Sequence, residues 1–339
     1  MVPPGLALSL PLLSFVVALV VVRAAIAYAH RRGMLDQPGQ RRSHTIPTPR
    51  GGGIGIVLAT LLGLPIVAMD IAPDGYRLTI AAIWLGLLLV AWTGWWDDHR
   101  PLPVAPRLVA QAAGTGLVVL AMWASGEGGW WLPLLLLAGI GSINLHNFMD
   151  GIDGLLAQQA VFVMAGLAAM ALALDEVTLA AVALMVGSAT AGFWVYNRPP
   201  ARIFMGDVGS GALGFLVFAL GAALWRVDAA TFWPTATVCS AFLTDAGMTL
   251  LVRVWRGRRW YSAHREHLYQ WLVRGGRTHG MVSGRYAAWN LIVCAPASYA
   301  AWRMGKNGWV VFALVFGVSV VVWIALKRAC LQRARERMS

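Results

Sequence analysis

Charge is what this chain has least of. Only 12% of its 339 residues are charged, against 58% hydrophobic, and so few charges cannot clothe a water-facing globule. An ordinary soluble domain is excluded, and lipid becomes the main solvent. Acidic residues are scarcest, 15 against 27 basic ones. The resulting net charge of +12 does not describe a nucleic-acid binder, because the basic residues fall between apolar runs and not along one polar face. Anionic lipid headgroups and phosphorylated substrates are the expected partners. Cysteine is sparse as well: Cys239, Cys294 and Cys330 are scattered, each in or beside an apolar run, without the spacing of a metal site or a disulfide framework. No basic residue precedes the first apolar run, and Arg31 and Arg32 follow it. That is the reverse of a cleaved leader and predicts a retained first helix with its N-terminus outside.

What is present is a series of about eleven apolar runs long enough to cross the hydrocarbon of a bilayer. They lie near 5–29, 52–69, 78–95, 107–123, 131–148, 157–174, 178–195, 208–225, 233–252, 286–302 and 308–326. Many of the 17 Trp residues flank these runs, as an interfacial belt requires. When alternate loops are placed inside, they collect 22 of the 27 Lys and Arg residues, which orients the chain with its C-terminus in the cytosol. The expected fold is an all-α polytopic membrane protein of a single domain (1–339), with about eleven transmembrane helices. A basic inner loop, 253–285, carries an interfacial helix whose apolar side is Trp260, Leu268, Trp271 and Leu272.

The polar and Gly-rich segments gather on the inner side. "LDQPGQRRSHTIPTPRGGGIG" contains His44, three Pro that exclude a continuous helix, and Gly51 to Gly53, which let backbone approach a ligand closely. A loop that binds lipid headgroups would have the same composition. "GWWDDHRPLPVAPR" puts Asp97 and Asp98 together at a span's end, where a cation or a metal-phosphate group would offset their repulsion. Arg107 opens the next helix, where it could face a phosphate. In "INLHNFMDGIDGLL", Asn144, Asn147, Asp150 and Asp153 recur every three residues, placing successive members on one helical face. Hard oxygen ligands of this type suit Mg2+, which shares its shell with phosphates and water. "RPPARIFMGDVGSGALGF" brings Asp207 to a helix start, where the N–H groups of Gly209 and Ser210 could hold a metal-phosphate unit; a plain N-cap would also explain this Asp. In the long inner loop, His264, Arg265 and His267 would face the cytosol within reach of a phosphate. Surface anchoring alone would use the same residues.

Taken together, "DQPGQRRSHTIPTPRGGG", "GWWDDHR", "NLHNFMDGIDGL", "FMGDVGSGALGF" and "AHREHLYQ" resemble the motifs of the polyprenyl-phosphate N-acetylhexosamine-1-phosphate transferases. That superfamily comprises the WecA-type initiators of O-antigen and related glycans and the MraY-type phospho-MurNAc-pentapeptide transferases. The resemblance implies that Asp97 and Asp98 are the catalytic pair beside the lipid phosphate. It also implies that Asp207 and Asn147 serve Mg2+ (with Mn2+ as a substitute) and the pyrophosphate. Asn144, Asp150, Asp153, Arg107, His44, His264, Arg265, His267 and the helix-borne Asp245 are implied to bind substrate. The last motif keeps His267 but continues Leu268, Tyr269 and Gln270, where many WecA-type members have further His. This looks more like a branch using UDP-sugars such as N-acetylfucosamine or N-acetylquinovosamine, and the triple His typical of MraY-type enzymes is absent. The implied partners are a UDP-N-acetylhexosamine, undecaprenyl or another polyprenyl phosphate, and membrane lipid, at the cytosolic face of the inner (plasma) membrane. A homodimer is compatible with the sequence. The rivals are the peptidoglycan transferase and, from another class, a cation-coupled transporter. A transporter places its coupling acids at mid-bilayer, whereas here only Asp245 lies deep in a span.

Overall fold

The structure, a computed structural model, describes residues 4–37, 47–126, 129–258 and 264–336, with side chains from Ser9 onward. It is a bundle of helices: α1 (Pro4–Arg32), α2 (Ile54–Ile66), α3 (Asp74–His99), α4 (Val104–Ala124), α5 (Leu132–Phe148), α6 (Leu155–Ala173), α7 (Val177–Asn197), α8 (Asp207–Val227), α9 (Phe232–Val238), α10 (Ser240–Trp255), α11 (Leu268–Arg274), α12 (His279–Trp289), α13 (Ala295–Arg303) and α14 (Gly308–Glu336). Between α1 and α2 two short strands, β1 (Leu35–Asp36) and β2 (Thr48–Pro49), pair antiparallel. Each apolar run therefore forms helix, since lipid leaves backbone groups no other partner.

Among the described residues, eight helices are long and apolar enough to span a membrane, or nine if α9 and α10 count as one span bent by 72°. The protein is thus a multi-pass, all-α membrane protein. Three of the expected eleven runs fall outside that set or enter it only when bent. α5 is 17 residues long, the run at 233–252 breaks at Cys239, and the run at 286–302 is divided between α12 and α13 by a π-turn at Asn290–Cys294.

α8 is the axis of the bundle. It is the most buried span, with α3, α5 and α6 packed around it, and α3 also packs against α4. α1 and α6 pack on α7, and α2 on α1 and α7. α9, α10, α13 and α14 form a second group. Close approach depends on missing side chains at the end where α2, α3 and α8 meet. A Cβ at Gly94 would lie 2.5 Å from the Asp207 carbonyl oxygen, and one at Gly53 would lie 2.6 Å from the Gly209 nitrogen. Gly52 and Gly53 therefore let this segment close against the protein's own α7–α8 connection and α8. Gly52 N and Gly53 N donate to the carbonyls of Phe204 and Met205, each at 2.9 Å.

The interfacial helix takes a different form from that expected. α11 has seven residues, and Leu268, Tyr269 and Leu272 on it are buried against α10, α12 and α14. Its apolar face is used inside the protein, where protein neighbours replace lipid; Trp260 lies outside the described residues.

Gly53→Ala forces two backbones apart and is expected to destabilise the detergent-solubilised protein by about 1–3 kcal/mol or more. Gly75→Ala, which meets nothing within 4 Å, should leave the thermal midpoint unchanged; equal midpoints for both variants would disprove the close approach.

Candidate active site

The polar cluster is built where α3 ends and α8 begins. Asp98, 5% exposed, accepts hydrogen bonds from Asp207 N and Val208 N, both at 3.1 Å. Its carboxylate thus occupies the positive end of α8. The N–H groups of Gly209 and Ser210 donate to the Gly206 carbonyl, so none of these four amides is left for a phosphate, contrary to expectation. Gly206 has φ +76, and a Cβ there would sit 2.5 Å from Asp98 Oδ2; only glycine fits.

Asp97 points the other way. Oδ1 accepts from Leu102 N at 2.5 Å and Oδ2 from Arg107 at 3.0 Å. The same Arg107 nitrogen reaches Asp207 Oδ2 at 3.2 Å, so this guanidinium bridges two carboxylates from segments far apart in the chain. Arg50 donates to the Asp98 carbonyl.

A cavity of about 330 Å³ opens beside these groups. Asp98, Asp150, Asp153, Asp207, Arg50, Arg265, Gln270 and His279 line it, together with Asp36 and Asn197. Burial and then the neighbouring Asp98 carboxylate push the Asp150 carboxyl up to about 7, against one hydrogen bond from the Gly206 amide. Negative charge is therefore under-compensated at this end of the cavity.

Asn144 and Asn147 are on α5 and do not line the cavity. Asn144 donates to Gln111 Oε1 at 2.7 Å and to the Ile140 carbonyl at 2.8 Å. α5 stops at Phe148, so Asp150 and Asp153 leave the helical face that their spacing suggested. His44 lies outside the described residues.

Asp245 is placed away from the cavity. Its carboxylate accepts from Leu268 N (2.7 Å), Tyr269 N (3.2 Å), Tyr286 Oη (2.7 Å) and Trp323 Nε1 (3.0 Å), which fully engages it in seating α11. Tyr269 in turn donates to the Phe148 carbonyl at 3.0 Å. His267 stacks with Phe148 and Tyr269, and His264 packs at a tilt against Phe148 and His267. His267 is 2% exposed, not cytosol-facing. Burial first, and then the nearby His267 and Arg253, push the His264 imidazole down to about 4, and burial lowers His267 too. Both are neutral rings at neutral pH.

Sequence reasoning passed over Arg50, Gln270, Asn197, Asp36 and His279. His279 stands in a basic, Gly-rich stretch that reads as loop; its one sequence signal is Thr278, the N-cap whose side chain accepts from Met281 N.

Residues 80–224, from α3 to near the end of α8, match the model of glycosyl transferase family 4. Over 235 residues the chain is 33% identical to a phospho-N-acetylmuramoyl-pentapeptide-transferase of Moorella thermoacetica, an overlap of 60% of this chain and 70% of that protein. The chain belongs to glycosyl transferase family 4. This family 4 transferase is also 27% identical over 286 residues to a probable undecaprenyl-phosphate N-acetylglucosaminyl 1-phosphate transferase of Bacillus subtilis (strain 168), covering 80% of this chain and 78% of the relative. A phospho-N-acetylmuramoyl-pentapeptide-transferase of Thermosynechococcus vestitus is 30% identical over 256 residues, 65% of this chain and 66% of its own. The matched region holds the cavity's Asp98, Asp150, Asp153 and Asp207 together with Asp97 and Arg107.

The transferase's residues fit a divalent cation shared with a substrate. Among the described residues no three His, Cys, Asp or Glu side chains form a metal cage, but Mg2+ commonly takes one or two carboxylates and completes its shell with water and phosphate oxygens. The uncompensated acids meet that requirement.

Between the ordinary carboxylate range near ~4 and about 7, the folded protein keeps a proton on Asp150 that the unfolded chain has released. Stability gained from that proton is complete at low pH and is lost as pH rises through about 7. In chelator-treated detergent solution the melting temperature is expected to fall from pH 5 to 8, and D150N should flatten the slope. An unchanged slope in D150N would show that another group titrates. D245N, which sets an amide nitrogen against two of the four donors, is expected to cost at least about 2 kcal/mol and to raise hydrogen exchange across 264–274.

Proposed function

We propose that this protein transfers an N-acetylhexosamine 1-phosphate from a UDP-sugar to undecaprenyl or another polyprenyl phosphate, releasing UMP, at the cytosolic membrane face. One observation carries this reading. Acids from the ends of α3 and α5 and the start of α8 converge on one cavity, and an apolar groove of about 770 Å³ begins on the same α5 helix. Leu134, Leu145, Phe218, Trp225, Phe232 and Phe242 line this groove. Such a pairing suits a substrate with a charged head and a long hydrocarbon tail, and it does not suit ion transport at mid-bilayer.

In this mechanism an oxygen of the polyprenyl phosphate attacks the sugar-bearing phosphorus. A new P–O bond forms, the bond to the bridging oxygen breaks, and UMP departs with the electron pair. One pyrophosphate replaces another, so the protein supplies alignment and charge control more than driving force. The acceptor phosphate has its second pKa near ~6 and is already largely dianionic at neutral pH, so no protein base is required. Mg2+ or Mn2+, held by Asp207 and phosphate oxygens, would neutralise charge on the departing UMP. Asp98 keeps the start of α8 fixed, Asp97 and Arg107 hold Asp207 in place, and Arg50 and Arg265 at the cavity wall attract the diphosphate.

A second reading has a specific observation behind it, because two of the relatives described above are named as phospho-N-acetylmuramoyl-pentapeptide transferases. On that reading the donor is UDP-MurNAc-pentapeptide and the chemistry is unchanged. The experiment is UMP release by purified protein with Mg2+, undecaprenyl phosphate and a panel of UDP-sugars that includes UDP-MurNAc-pentapeptide. The expected result is turnover with a UDP-N-acetylhexosamine, abolished by chelation, with D207N slower by at least about 100-fold. Turnover with the pentapeptide donor alone would move the protein to the second reading, and no UMP from any donor would refute both. Exchange of labelled UMP into UDP-sugar without acceptor would refute direct attack.

A further inference from the structure

At the wall of the cavity is an imidazole that the proposed chemistry does not use. His279 is the first residue of α12 and is largely buried, its side chain 13% exposed. Its Nδ1 lies 3.0 Å from Asp153 Oδ1 and 3.4 Å from Asp153 N. The other carboxylate oxygen, Oδ2, accepts from Ala201 N at 3.0 Å, and Asn197 Oδ1 accepts from Gly154 N at 3.0 Å. Asp153 is thereby held between the loop after α5 and the loop after α7, and it fixes the face of the imidazole ring. His279 Nε2, on the far side of the ring, is buried and finds no hydrogen-bond partner among the described residues. His279 lines the cavity.

A buried nitrogen without a partner is costly, and a ring held beside a carboxylate while its second nitrogen stays free is arranged to meet something outside the protein. The surroundings indicate what kind of group that is. His279 sits in the first turn of an 11-residue helix, where the backbone dipole favours an anion, and Arg50 and Arg265 line the same cavity. With Nδ1 accepting from Asp153 N at 3.4 Å, the ring carries its proton on Nε2 and can donate a hydrogen bond to an anion.

We propose that His279, oriented by Asp153, contacts the donor substrate, its Nε2 donating a hydrogen bond to an oxygen of the nucleotide sugar's diphosphate. This rests on the transferase reading above for the identity of the donor. Asp153 acts through His279 as a positioning residue.

Steady-state kinetics and direct binding of UDP, UMP and uridine to the purified protein test the assignment. H279A is expected to raise KM for the UDP-sugar and Kd for UDP by at least about 10-fold, as loss of a hydrogen bond to a charged group does, while KM for undecaprenyl phosphate and Kd for uridine stay within about two-fold. H279Q, which keeps a donor near Nε2, should recover most of the UDP affinity. D153N should weaken UDP binding in the wild-type background and add nothing to H279A, since it acts through the ring. Unchanged UDP affinity in H279A, at an unchanged melting temperature, would overturn the proposal. An equal loss of uridine affinity would overturn it too, by placing the contact on the nucleoside. If H279A does not fold, the H279Q and D153N binding data decide. The binding arm needs no turnover: wild-type protein that binds UDP but releases no UMP defeats the transferase reading and leaves the His279 contact to be judged on UDP alone.

Discussion

The seating of the Asp98 carboxylate on the first turn of α8 is the interaction on which the rest of the site depends. A buried carboxylate is costly unless its charge is met. Here two backbone N–H groups and the positive end of a helix meet it. That arrangement needs the ends of α3 and α8 almost in contact, which Gly94 and Gly206 permit by carrying no side chain. Once they touch, Asp207 necessarily faces Asp97, and the bridging guanidinium of Arg107 sets the spacing between them. The adjacent pair Asp97 and Asp98 therefore divides its work: one carboxylate fastens the helix and the other orders the acid on it.

A second anchor does for the far wall what Asp98 does for the near one. The four donors on Asp245 gather α10, α11, α12 and α14. The Tyr269 hydroxyl then ties this group to the end of α5, and α12 presents His279 to Asp153. Two buried carboxylates with saturated partners thus set the relative position of the two walls, and the less compensated Asp150 lies between them. Rigid support keeps these under-compensated acids preorganised, so that a cation bound there would need little rearrangement.

Much of this was legible in the sequence. Apolar runs predict helices wherever lipid is the solvent, and the acids at 97, 98, 150, 153 and 207 stood out because charge is rare in this chain. What local pattern could not show was pairing at a distance. The run at 233–252 reads as one span by length and hydropathy and says nothing of the turn at Cys239. Asp245 looked like one more site acid, because its partners at 268, 269, 286 and 323 are remote in sequence. The spacing of three from Asn144 to Asp153 suggested one continuous face, and the helix end at Phe148 sends its second half elsewhere. His279 was hidden by its surroundings, since a single His in a basic, Gly-rich stretch carries no signal until the fold brings Asp153 to it.

The bend between α9 and α10 has a kinetic consequence. It borders the apolar groove, and Leu134 and Phe232 on the groove's rim are exposed on the flank of the bundle. On the proposed reading, a guest with a long isoprenoid chain would slide in sideways from the surrounding leaflet without crossing water. Occupancy would then follow the guest's mole fraction among neighbouring lipids and not its bulk concentration, so diluting the bilayer with inert lipid would slow saturation even at constant total amount.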